Sequence, residues 1–230
     1  TYVSSKIIDH TLNKKTKKFI LFLAIVINLG VLVILKYTNF LGENIFAIFH
    51  QPFTPVRLIA PIGISYYTLQ MVSYLMDISS GKIHADHSIV DFAVYASFFP
   101  TLIQGPITRF NEIKDSILAC NPITYQNLKF GSQRILFGLM KKMIIADRLD
   151  PAVSKIFTSY TQDGLFSLIG AVLCTIQLYM DFSGIVDICL GSAEIFGIKL
   201  PENFRQPFFA ENASDFWRRW HITLGTFLRD

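Results

Sequence analysis

One imidazole stands among two arginines and two tryptophans in the stretch FWRRWHITL at 216–224, and it is the side chain here best suited to proton chemistry. A histidine with an ordinary pKa of about 6.5 can take the proton of a hydroxyl at neutral pH. Partial burial and a neighbouring arginine cation both lower that pKa and favour the neutral, basic form of His221. The same pattern also suits an interfacial histidine, with the tryptophans anchoring at lipid headgroups and the arginines marking the cytoplasmic side. Spacing alone leaves both readings open.

Asp181 interrupts an otherwise apolar segment, and an acid at membrane depth needs a partner, for which Arg205, Arg218 and Arg219 are candidates. Its alternative is a helix end at which the carboxylate meets water. In QGPITR at 104–109, Gln104, a Gly-Pro turn and Arg109 form either a polar lining or a plain loop. Arg134, Lys141, Lys142 and Arg148 could attract an anionic donor such as coenzyme A, or serve as cytoplasmic topology charge. His84 and His87 share an i, i+3 spacing with too few further ligands for a metal. No metal site and no bound cofactor is therefore expected, and HExxH, GxSxG and phosphate-loop patterns are absent from the sequence. Cys120, Cys174 and Cys189 form no CxxC pair and are expected to pack.

The elements that must hold these residues are membrane elements. The chain is 51% hydrophobic and 17% charged, with 21 Phe, which is too apolar for an ordinary soluble domain. The net charge of +4 lies between apolar runs, which fits membrane topology and does not favour nucleic acid. About 20 apolar residues cross a bilayer, and spans are expected at about 19–35, 58–76, 165–180 and 185–198, the last two separated by MDFSG at 180–184. Pro61 and Gly63 should make the second span begin irregularly. The stretches at about 89–109, 128–149 and 215–229 read as re-entrant or interfacial. Ser214 is the expected cap of a continuous helix from Asp215 to Arg229, which would put Trp217 and Arg218 one turn from His221. The expected whole is an all-α integral membrane protein with a single domain over 1–230, read as a fragment because it starts at Thr1 and stops within a patterned segment.

Four strings carry a family likeness: PIGISYYTLQMVSYLMD, FFPTLIQGPITRF, QLYMDFSGIVDICLGSAEIFGIKLPENFRQPF and DFWRRWHITLGTFLRD. From about Ile59 to Asp230 the chain resembles the bacterial membrane-bound O-acyltransferases, and within them the branch that O-acetylates alginate. The resemblance implies a multi-helix bundle around a central tunnel, multi-pass in the bacterial cytoplasmic membrane. It implies an enzyme that takes an acyl group, such as acetyl, from a cytoplasmic thioester such as acetyl-coenzyme A. The acceptor would be an exported polysaccharide, with an extracytoplasmic acetyltransferase as partner.

On the matched strings His221 is the catalytic candidate. Gln104, Arg109, Asp181, Asn203, Trp217 and Arg218 are candidates for substrate binding or tunnel lining. The resemblance also implies a second, later histidine beyond residue 230, the one usually regarded as the family's invariant catalytic residue, with His221 in or beside the reaction path. Transfer of D-alanine to teichoic acid, acetylation of peptidoglycan, and a transporter or scaffold subunit are the alternatives.

Overall fold

A computed structural model describes residues 1–86, 88–159 and 164–229, so His87 of the weak metal pair lies outside the described residues. The described chain is helical, and its only strand-like feature is the isolated bridge between Phe204 and Trp220. The described residues cluster into two compact units, one from 1–103 with 109–114 and the other from 104–108 with 115–229.

The first unit begins with α1 (Tyr2–His10) and α2 (Lys14–Ile48). Asn13 caps α2 by accepting the Lys15 N–H at 2.9 Å. The expected span at 19–35 lies inside this helix, whose 35 residues measure about 50 Å. Polar residues do not break it, because Asn28 and Asn44 donate to carbonyls four residues back at 2.7 Å. Such back-bonding satisfies a polar side chain where lipid cannot. Only Ala24 of α2 is buried, so its phenylalanines and aliphatics face outward, as a lipid-facing helix requires.

The expected span at 58–76 is helical only in its second part, as α3 (Ile64–Ser79). Residues before it fold along α2 instead. Asn39 donates to the Val56 carbonyl at 3.0 Å and accepts the Val56 N–H at 2.9 Å, and the Phe53 ring lies over Gly42. Gly63 turns the chain into α3 at φ 77°, where a Cβ would meet the Leu102 carbonyl.

The stretch 89–109 is broken as its prolines require, into α4 (Ile89–Ala96), α5 (Phe99–Leu102) and an irregular run that leads to α6 (Phe110–Leu118). Within this unit Tyr74, Phe92, Tyr95 and Phe110 form an aromatic core with centroids as close as 4.9 Å. Beside it, buried Asp77 accepts from Arg109 Nη1 at 3.0 Å.

In the second unit, α7 (Tyr125–Leu139) runs through a π-helical turn (Met140–Ala146) into α8 (Asp147–Ser159), extending the helix expected at 128–149 in both directions. α9 (Gly164–Ile195) is continuous, which corrects the two expected segments at 165–180 and 185–198. MDFSG does not break it because its acid is met sideways and its glycine is a packing contact. Asp181 faces Lys142 Nζ at 2.6 Å, and Gly184 lets the backbone of α9 approach α7.

That approach repeats one heptad along. A Cβ on Gly131 would lie 2.6 Å from the Gly191 carbonyl oxygen, and one on Gly138 would lie 2.5 Å from that of Gly184. The pairing runs α7 and α9 antiparallel, with small residues permitting contact as in membrane helix pairs. Both α2 and α9 are long and apolar enough to cross a membrane. A 3₁₀ turn (Pro207–Phe209), α10 (Ala213–Arg219) and α11 (Ile222–Arg229) complete the unit.

Candidate active site at the α10–α11 junction

Asn212, not Ser214, caps α10, by accepting the Asp215 N–H at 2.9 Å. Asp215 then pairs with Arg219 Nη2 one turn on at 2.8 Å, which holds its carboxyl below the usual range. The helix stops there. Trp220 is extended and His221 takes φ 45°, so the continuous helix expected over 215–229 is broken at the histidine itself.

Two competing contacts explain the break. The Arg219 carbonyl accepts the Arg205 N–H, and the Asn203 carbonyl accepts the Ile222 N–H, each at 3.0 Å, so the 203–205 segment takes backbone groups that a helix would use internally. The swing also carries the Trp220 indole into an aromatic cluster. Phe204 lies at 5.1 Å, Phe216 stacks at 5.6 Å, and Tyr179 lies at 5.9 Å. A left-handed conformation at a residue other than glycine costs about 1–3 kcal/mol and persists where its surroundings over-determine it.

At this turn the His221 ring packs edge-on against Phe182, with centroids 4.8 Å apart. Its Nε2 is buried and has no hydrogen-bond partner among the described residues. Burial lowers the imidazole pKa, and His221 lies outside α2 and α9, the helices among the described residues long and apolar enough to cross a membrane. The expected arginine contribution is replaced by this apolar wall. Trp217 and Arg218, placed one turn away by a continuous helix, are exposed on α10.

Asn203 is wholly buried beside the same turn. Its Oδ1 accepts the Thr223 N–H at 3.2 Å and the Thr223 hydroxyl at 2.6 Å, and Thr223 Oγ1 accepts the Ile107 N–H at 3.1 Å. The run 104–108 is thereby tied to the junction within this unit. Gln104 opens that run half-buried, whereas Arg109 belongs to the other unit and to Asp77.

Asp181 has Lys142 as its cation instead of an arginine, and Lys142 also meets Asp147 Oδ1 at 2.7 Å. The Asp147 and Asp181 carboxylates raise the Lys142 pKa. Lys141 and Arg134 are likewise occupied. Asp187 receives Lys141 Nζ at 2.7 Å and Arg134 Nε at 3.0 Å, and Arg134 Nη2 reaches Glu202 at 2.7 Å. The cluster read as a donor attractor has three of its four cations, Arg134, Lys141 and Lys142, in ion pairs.

Sequence reasoning passed over Asp187, although an acid six residues beyond Asp181 in the same apolar run carried the same signal. It also passed over Ser183, which is 2% exposed and whose Oγ has no hydrogen-bond partner among the described residues. No group of three or more His, Cys, Asp or Glu side chains suited to a metal occurs among the described residues. The junction therefore offers an imidazole whose pKa burial lowers, packed against Phe182, on a turn whose next residue bonds to the backbone of a buried asparagine.

Comparison with known proteins places this junction in a wider pattern. The membrane-bound O-acyltransferase family model matches residues 79–230. The probable alginate O-acetylase AlgI of Pseudomonas aeruginosa is 39% identical over 216 residues, covering 91% of this chain and 41% of that protein. The peptidoglycan O-acetyltransferase of Helicobacter pylori is 36% identical over 93% of this chain and 46% of its own length. The teichoic acid D-alanyltransferase of Bacillus subtilis is 32% identical over 79% of this chain and 46% of its own. The chain spans about two fifths of the length of the first of these relatives. The matched region takes in α9, the buried Asn203 segment and the His221 turn, and on that match the chain, a bacterial membrane protein, belongs to the membrane-bound O-acyltransferase family.

Proposed function

We propose that the protein containing this chain is a multi-pass O-acyltransferase of the bacterial cytoplasmic membrane. It moves an acetyl group from a cytoplasmic thioester, acetyl-coenzyme A or a similar donor, toward O-acetylation of an exported cell-surface polysaccharide. The observation that carries this reading is His221, a buried imidazole with an unpartnered Nε2 on a strained turn. In the reaction Nε2 takes the proton of an acceptor hydroxyl while the oxygen attacks the thioester carbonyl. A C–O bond forms, the C–S bond breaks, and the proton passes on to the departing thiolate. Neutrality favoured by burial is what that role needs.

The irregular 104–108 run, which begins at Gln104, and the broken 215–229 region are read as re-entrant walls of a tunnel, to which α9 adds Asp181 and the segment before the 3₁₀ turn adds Asn203. An extracytoplasmic acetyltransferase is the expected partner that hands the acetyl group to the polysaccharide. The likeness to alginate O-acetylases over most of the chain favours acetyl and polysaccharide. The peptidoglycan and teichoic acid relatives support a second reading, in which the same chemistry serves peptidoglycan acetylation or D-alanyl transfer.

The test is the O-acetyl content of surface polysaccharide in cells expressing the full-length protein or its His221→Ala variant, with membrane levels of both measured. Loss of acetyl ester at equal protein level is the expected result. Unchanged acetylation in a strain without a second copy of the activity would remove His221 from the reaction.

A further inference from the structure

Asn203 carries a second feature of the junction, and its amide orientation is fixed by its partners. A backbone N–H can only donate, so the side-chain atom that faces the Thr223 N–H at 3.2 Å must be the oxygen. The Thr223 hydroxyl donates to the same oxygen at 2.6 Å and accepts from the Ile107 N–H at 3.1 Å. This is a directed chain of hydrogen bonds from Ile107 through Thr223 to Asn203 Oδ1. It draws electron density toward Oδ1 and makes the two N–H bonds of Nδ2 stronger donors.

Yet Nδ2 is buried, on a residue with 0% exposure, and has no hydrogen-bond partner among the described residues. A buried amide nitrogen without a protein partner calls for an explanation, which an ordered water, a bound ligand group or a catalytic role can give. Its position gives the second half of the argument. The Asn203 carbonyl holds the Ile222 N–H at 3.0 Å, so Asn203 lies beside the residue that follows His221, whose Nε2 is also buried and unpartnered.

We infer that Asn203 Nδ2 is a catalytic hydrogen-bond donor to the acyl carbonyl oxygen, stabilising the oxyanion that forms when the acceptor hydroxyl attacks. The inference rests on the acyl-transfer reading and assigns this donor role to one atom. A base and an oxyanion donor on two adjoining backbone segments form a preorganised acyl-transfer pair. The Thr223 and Ile107 bonds fix the donor before substrate arrives, so no reorganisation is needed as charge develops.

Asn203→Asp separates the roles of the two side-chain atoms, because it keeps an oxygen facing Thr223 and replaces the Nδ2 donor with an acceptor. In the full-length protein, purified and quantified as folded enzyme, kcat for acetyl transfer from acetyl-coenzyme A should fall about 100-fold or more, with KM changed much less. Bound 1-¹³C-acetyl-coenzyme A gives a second readout, since a hydrogen bond to its carbonyl lowers the infrared stretching frequency. That lowering should be present in wild type and lost in Asn203→Asp and in Asn203→Ala.

Turnover per folded molecule within about threefold of wild type in Asn203→Asp would overturn the inference, as would an unchanged carbonyl band in both variants. An active wild type beside an equally active Asn203→Asp fails this inference alone. A wild type that transfers no acyl group fails the acyl-transfer reading and takes this inference with it.

Discussion

Gly138 and Gly184 bring the backbones of α7 and α9 into direct contact. A Cβ added to the first would sit 2.5 Å from the carbonyl oxygen of the second, and the reciprocal distance is 2.8 Å. Alanine is normally favoured over glycine within a helix by about 1 kcal/mol. Here the clash with backbone dominates, and overpacking of this kind costs about 1–3 kcal/mol. Gly138→Ala and Gly184→Ala should each lower the thermal midpoint of the detergent-solubilised protein by about 5 °C. Gly30→Ala, on α2 where a Cβ meets nothing within 4 Å, should leave it unchanged or raised. Equal midpoints for all three variants would mean that α7 and α9 do not meet through these glycines.

Asp187 is the hub of a second contact on the same helix pair, shared by Arg134 and Lys141. Removing the acid leaves the largely buried Lys141 without its counter-charge, and breaking such a pair costs about 3 kcal/mol. Arg134 loses less, because it is more exposed and keeps Glu202. Asp187→Leu should therefore lower the denaturation midpoint strongly, and Asp187→Leu with Lys141→Met should recover part of the loss. The combination removes both charges together. Additive losses in the double variant would show that Lys141 does not depend on Asp187.

The two glycine pairs and the ion network also show what a single sequence could tell. α2 was legible because an uncharged apolar run of 17 residues behind four lysines has few other uses. The break within 89–109 was legible from Pro100, Gly105 and Pro106. The continuity of α9 was not legible. Asp181 and Gly184 read as breakers in isolation, and only Lys142 and Gly138 on another helix reverse that reading.

His221 stood out by residue type, but its conformation did not. Helical spacing put Trp217 and Arg218 beside it, whereas hydrogen bonds from residues 203 and 205, far back in sequence, open the helix and present it to Phe182. Local pattern was overruled wherever a distant backbone group competed for the same bond.

The pH dependence follows from the lowered pKa of His221, for which burial is the cause. Its folded-state pKa lies below the ordinary value of about 6.5, so the neutral imidazole persists to lower pH, as the base proposed for acyl transfer requires. The acid limb of kcat/KM for acetyl transfer in membrane vesicles should thus lie below pH 6.5. Stability follows the same sign. As pH falls below about 6.5, the unfolded chain gains a proton that the folded chain resists, and the His221 contribution is lost as pH drops through the folded value. A limb at or above pH 6.5, tracking wild type but absent from the residual rate of His221→Asn, would contradict the burial of this ring.

The φ of 45° at His221 separates chemical from conformational substitutions. Asparagine tolerates the left-handed region, alanine does so poorly, and a β-branched valine least of all. If backbone strain governs folding at the turn, His221→Asn should accumulate in membranes close to wild type, His221→Ala somewhat less, and His221→Val least. Asparagine keeps the turn but has no group that can take a proton near neutral pH, so acetyl transfer should be lost in all three regardless of abundance. Activity that scaled with membrane level across the series would instead make His221 a residue of the turn alone. Loss of activity in the abundant His221→Asn protein separates the imidazole's proton chemistry from the backbone conformation that presents it.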